Sequence, residues 1–137
     1  MKKLVLIVTI LMMSSCATFT VTKESLASQL QENQNISKER NVSSMGISYF
    51  SNNLKKIKCT NKNGKEVWLY SGKNMNFKIT KISTNESLGM YFDTVILQND
   101  TLYGLKSRIL GGKRKIAVKD VAKIEINVEE PRTEVVR

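Results

Sequence analysis

Histidine is absent from this 137-residue chain, proline occurs once, tryptophan once and cysteine twice. Without an imidazole, serine and cysteine nucleophiles lose their commonest base, and the usual zinc sites lose their commonest nitrogen ligand. Two cysteines allow one disulfide at most. The longest apolar run, Leu4 to Met13, is interrupted by Thr9. It falls well short of the roughly 20 residues that a helix needs to cross a bilayer. Acidic residues are also scarce, at 12 against 22 basic ones, so the formal charge is +10. Gly111-Gly112 lacks the spacing of a phosphate-binding loop. Glu129-Glu130 adjoins the proline as a solvated pair, and Asp93, Asp100 and Asp120 each stand where a strand end or turn explains them. No catalytic constellation emerges, and the sequence reads as a non-enzyme that needs no cofactor or metal.

Lys2 and Lys3 precede the apolar run, and Leu11-Met12-Met13-Ser14-Ser15-Cys16 follows it. Positive start, short apolar centre and small-residue exit are the parts of a secretory signal. The exit resembles the lipobox of bacterial lipoproteins, with Met13 where a branched aliphatic is commoner. The resemblance implies that residues 1–15 are removed and that Cys16 carries lipid, palmitate included. Ordinary cleavage after Ala17 is the competing reading, because Ser15-Cys16-Ala17 also fits a small-x-small site. Ala17, rather than an acidic residue, follows the cysteine. By the same resemblance the expected place is the cell envelope, at the outer membrane facing the periplasm. Loss of Lys2 and Lys3 lowers the charge to +8. With Cys16 acylated, Cys59 has no disulfide partner, and its alternation with Ile57 makes it a small buried apolar group.

Residues 16–53 read as a polar tether. A short helix between Thr22 and Asn33 is capped by Thr22 or Ser25 and carries only Leu26 and Leu30 as apolar contacts. About 37 flexible residues would reach roughly 30–35 Å from the membrane. Residues 54–128 read as the β domain and 129–137 as a tail. Lys55–Thr60 alternates, Asn61-Lys62-Asn63-Gly64 turns the chain, and Lys65–Tyr70 returns. Phe77–Ile82 is a third strand and Ser83–Gly89 a loop. Met90–Gln98 looks like a strand buried on both faces, Asn99-Asp100 a hairpin turn, and Thr101–Ile109 its return. Gly111-Gly112 opens a turn before a strand over Lys115–Val118, and Ile124, Ile126 and Val128 mark the last strand. The expected class is mainly β, a small antiparallel sheet or partly open barrel of about six strands behind a signal peptide and weakly helical linker. Asn99, Asp100, Leu102, Gly104, Ile116, Val118, Asp120, Val121, Ile124 and Ile126 resemble the closing strands of SH3-like and Sm-like barrels.

Trp68 and Tyr70 share the strand face opposite Val67 and Leu69. With Lys65, Lys73 or Lys106 nearby they would form a cationic-aromatic surface, unless that face packs under Tyr49-Phe50. Lys113-Arg114-Lys115 is the densest basic group and a second candidate contact. Asp100-Thr101-Leu102 and Asp93-Thr94-Val95 resemble envelope O-glycosylation acceptors, with Thr101 the accessible one. The expected partners are the membrane through Cys16 and an envelope protein, with anionic lipid or polysaccharide as the alternative. Export makes nucleic acid a poor partner.

Overall fold

The computed structural model describes residues 16–32, 38–42, 47–52, 54–72, 74–107 and 111–136. Residues 1–15, expected as a signal, lie outside them, as do the side chains of Cys16, Tyr49 and Phe50. Among the described residues the elements are β1 (Cys16–Val21), α1 (Lys23–Glu32), β2 (Lys38–Val42), β3 (Ile47–Ser51), β4 (Lys56–Thr60), β5 (Glu66–Tyr70) and β6 (Met75–Lys81). They continue with β7 (Ser87–Tyr91), β8 (Ile96–Gln98), β9 (Thr101–Ser107), β10 (Gly111–Ala117), β11 (Val121–Glu129) and β12 (Thr133–Val135). Short 3₁₀ turns at Phe92–Thr94 and Val118–Asp120 precede β8 and β11.

The strands form antiparallel sheets: seven strands in the order β12-β5-β4-β1-β11-β6-β7, three as β10-β9-β8, and the β2-β3 pair. The mainly β class stands. The seven-stranded sheet does not close, because its two ends, β12 and β7, do not pair with each other.

The largest departure from the sequence reading concerns residues 16–32. Their strand and helix belong to the fold, so a tether running from 16 to 53 is corrected. β1 occupies the middle of the seven-stranded sheet, pairing with β11 from Cys16↔Glu129 to Val21↔Ile124. Its Phe19 and Val21 are buried while Thr18 and Thr20 are exposed, the two-residue period of a half-buried strand. The helix starts as expected, with the Ser25 N–H donating to Thr22 Oγ1 at 3.1 Å. Leu26 and Leu30 are buried in the one core that also holds Phe77 and Ile79 of β6 and Leu102 of β9. Two leucines cannot form a core, but they can complete one that the strands supply.

Gln29 adds a polar lock. Its side-chain amide donates to the Lys58 carbonyl at 3.0 Å and accepts from the Lys58 N–H at 2.8 Å. The amide thus behaves as a one-residue strand along the edge of β4, which pairs with β1 only at Thr20↔Thr60. Backbone groups that would otherwise be unpaired beneath the helix are satisfied.

The expected strand over Met90–Gln98 is broken by the 3₁₀ turn at Phe92–Thr94. Asn52, 3% exposed, explains the break. Its side-chain amide donates to the carbonyls of Phe92 at 2.7 Å and Val95 at 3.0 Å, and its Oδ1 accepts from the Leu54 N–H. The Asn52 N–H reaches the Asp93 carbonyl as well. Thr94 Oγ1 donates to the Tyr91 carbonyl and accepts from the Leu105 N–H. These bonds replace a ladder, so Phe92 and Val95 are buried while Ile96 and Leu97 are only half-buried.

Two glycine positions are required by geometry. Gly64 has φ +80° in the β4–β5 turn. A Cβ on Gly104 would stand 2.7 Å from Met90 Sδ and 3.0 Å from Met90 Cβ, so β9 can lie against β7 only without a side chain there. Asn99 and Asp100 both adopt positive φ, a two-residue hairpin turn between β8 and β9. The loop after β6 is shorter than expected because β7 begins at Ser87. Residues 129–137 are not simply a tail, since β12 adds to β5 through Thr133↔Leu69 and Val135↔Val67.

Candidate functional site

Val67 and Leu69 are buried, which turns Trp68 and Tyr70 to the outer face of the seven-stranded sheet, where both are half-buried. Register then decides their neighbours. Lys58 lies opposite Trp68, and Lys56 opposite Tyr70, across the β4–β5 ladder. The Lys56 ammonium sits 4.5 Å from the Trp68 ring centroid and 6.0 Å from that of Tyr70, and the Lys58 ammonium is 5.2 Å from Trp68. On the other side β12 places Glu134 opposite Trp68. The Arg132 guanidinium lies 5.8 Å from the Tyr70 ring, and the Arg132 carbonyl accepts the Tyr70 N–H. A cationic-aromatic surface therefore exists, but its cations are Lys56, Lys58 and Arg132. Among the described residues Lys65 and Lys106 are replaced in that role, because cross-strand register, rather than closeness in sequence, sets side-chain distance on a sheet; Lys73 lies outside the described residues.

The face is self-organised by its own charges. The Tyr70 hydroxyl donates to Glu134 Oε2 at 2.6 Å, and this bond, followed by the carboxylate's charge, raises the phenol above its ordinary pKa. Lys58 pairs with Glu66 at 3.7 Å, an exposed contact of small energetic weight. Cation–π contacts at exposed sites each contribute about 0.5–1 kcal/mol, and Trp68 remains half-buried beneath the two lysines. No known family model matches the chain, and neither does any curated protein or solved structure. The face must be read from its own chemistry.

The second candidate, Lys113-Arg114-Lys115, lies within β10 and not in a turn. Gly112, with φ +75°, belongs to the same strand. Lys113 and Lys115 are exposed and Arg114 is half-buried, so strand alternation splits the basic triplet between two faces. Lys115 and Lys81 line a shallow groove of about 300 Å³ with Thr101, Tyr103 and Asp120. Both oxygens of the Asp120 carboxylate are occupied by Ser83, from its N–H and its hydroxyl at 2.9 Å each. Asp120 thus ties the β6–β7 loop to the turn before β11. The structure does not bring the triplet to Trp68 and Tyr70: β10 is in the three-stranded sheet, and β5 is near the edge of the seven-stranded one.

Thr101 is half-buried at the start of β9, with its hydroxyl toward the Asn99 carbonyl at 3.4 Å. Thr94 is 3% exposed and its hydroxyl is fully used, which removes it as an acceptor for modification. Cys59 is buried, and burial pushes its thiol up to about 12. Its thiolate is thereby scarce at neutral pH. An unfolded thiol ionises near 8.5, so the stability from keeping Cys59 neutral is whole below that pH and is lost between there and about 12. Thiol reagents at pH 8 should leave native Cys59 unmodified and label it rapidly in denaturant. Fast labelling of the native protein would contradict its burial. Among the described residues no cluster of three metal-ligating side chains occurs, and no helix is long and apolar enough to cross a membrane.

Proposed function

We propose that this chain is a lipid-anchored envelope protein whose β domain binds or scaffolds a partner without catalysing a reaction. The observation that carries the reading is the place of Cys16 and Ala17 in the sheet, where they pair with Glu129 and Val128. Cleavage after Ala17 would remove both pairs from the central strand, whereas cleavage before Cys16 keeps them. Of the two processing sites, Cys16 is the one compatible with that ladder. Ala17 in the following position supports retention at an outer membrane, facing the periplasm. The Trp68–Tyr70 face and its three cations supply the binding chemistry of the module.

The mode of anchoring follows from β1. Cys16 opens the sheet directly, so the domain rides at the bilayer surface and does not sample the 30–35 Å that a flexible tether of about 37 residues would span. Metabolic labelling with palmitate tests the anchor: wild-type protein should take up label, and Cys16→Ala should take up none. Equal labelling of the two, or unlabelled wild type, would overturn it.

A further inference from the structure

We infer that the Lys56–Trp68–Tyr70–Arg132 face docks on the phospholipid headgroups of the bilayer that holds the anchor, an inference resting on the lipid-anchor reading. Distance comes first. Cys16 is paired with Glu129, and antiparallel partners lie about 5 Å apart. Chain advances at most about 3.5 Å per residue, so Arg132, three residues beyond Glu129, lies within about 16 Å of the anchor position. Arg132 holds Tyr70 through its carbonyl and covers its ring. A second path gives the same placement. Tyr70 is followed within five residues by Met75, which pairs with Val128, the neighbour of Glu129. Asn74 between them donates to Glu129 at 3.3 Å. The path through Arg132 therefore keeps Tyr70 within roughly 20 Å of Cys16.

Its chemistry fits a headgroup layer. Indole and phenol rings are amphipathic and settle at the level where apolar and polar regions meet, while Lys and Arg lay their stems along apolar surface and extend their charge to phosphate. Lys56 and Arg132 have no carboxylate partner among the described residues, whereas Lys58 has Glu66. Glu129, which pairs with Cys16, and Glu130 are exposed nearby. Docking therefore needs the rings and the two cations together: the cations offset these carboxylates and reach lipid phosphate while the rings insert. A lipid chain plus a second contact is also what durable anchoring requires. Docking would fix the orientation of the domain and leave the groove of Lys81 and Lys115 free for other contacts.

The chain's single tryptophan is Trp68, so its emission reports on this face alone. The lipidated protein reconstituted into phosphatidylethanolamine–phosphatidylglycerol vesicles should show a blue-shifted Trp68. Most of that emission should be lost when the acyl chains are brominated. The Lys56→Glu/Arg132→Glu double variant should still float with vesicles but recover its emission and shift back to the red. Vesicle-bound wild type that bromine does not quench overturns docking while leaving the anchor in place. So does a double variant quenched like wild type, or a blue shift produced by cell-wall glycan but not by vesicles. Protein that neither floats nor carries palmitate overturns the anchor itself, and docking with it.

Discussion

Asn52→Leu should destabilise the fold by about 3–5 kcal/mol, although leucine has nearly the same shape. The substitution leaves the Leu54 N–H and the Val95 carbonyl without their partners and removes one of two donors to the Phe92 carbonyl. Each buried group left unsatisfied costs about 1–3 kcal/mol. That sum is a large share of the 5–15 kcal/mol that stabilises an ordinary domain. Asn52→Asp sharpens the test, because it keeps the acceptor for Leu54 while turning a carboxylate toward two carbonyls. It should be at least as destabilised at neutral pH and recover toward acid, where a protonated carboxyl can donate one of the lost bonds. Urea unfolding followed by far-UV circular dichroism measures both. A midpoint for Asn52→Leu within error of wild type would show that the 3₁₀ turn holds without the amide.

Leu26→Ala should cost about 2–5 kcal/mol, the range for truncating a fully buried leucine. Leu26 is wholly inaccessible to solvent, and alanine is the best helix former, so the loss would report packing and not helix propensity. Ser28→Ala, on the exposed side of the same helix, should change stability by no more than about 0.5 kcal/mol. The pair discriminates between a helix that seals the core and one that belongs to a loose spacer. Equal unfolding midpoints for Leu26→Ala, Ser28→Ala and wild type would restore the spacer.

Strands β4, β5 and β11 were legible because their burial is periodic and their turns are local. Ile57 and Cys59, Val67 and Leu69, and Ile124, Ile126 and Val128 alternate inward. Asn61 closes its turn by accepting from the N–H groups of Asn63 and Lys65. The helix start was equally local, since Thr22 caps it three residues away. What could not be read was any property set by a partner distant in the chain. β1 has only Ala17, Phe19 and Val21 as inward residues, and its pairing with β11 joins positions more than a hundred residues apart. β12 is exposed along its length and owes its place to backbone bonds with β5. Asn52 carried no visible sign of burial, because a single polar residue in a polar stretch is ordinary until its three partners are brought around it.

The candidate face divides in the same way. Alternation alone put Trp68 and Tyr70 together on one side of their strand. Their cations could not be named from proximity in sequence, because the β4–β5 register brings Lys56 and Lys58, and the path around Pro131 brings Arg132. By itself the sequence determined the mainly β class, the Asn61–Gly64 and Asn99-Asp100 turns, the inward-facing residues of β4, β5 and β11 and the expectation of a lipid on Cys16, all of which depend on neighbours a few residues apart. Only the tertiary structure decided that residues 16–32 belong to the fold, that a spacer-like helix seals the core, and which charges surround Trp68. Those outcomes rest on long-range pairing, where burial by distant strands supplies what local composition lacks.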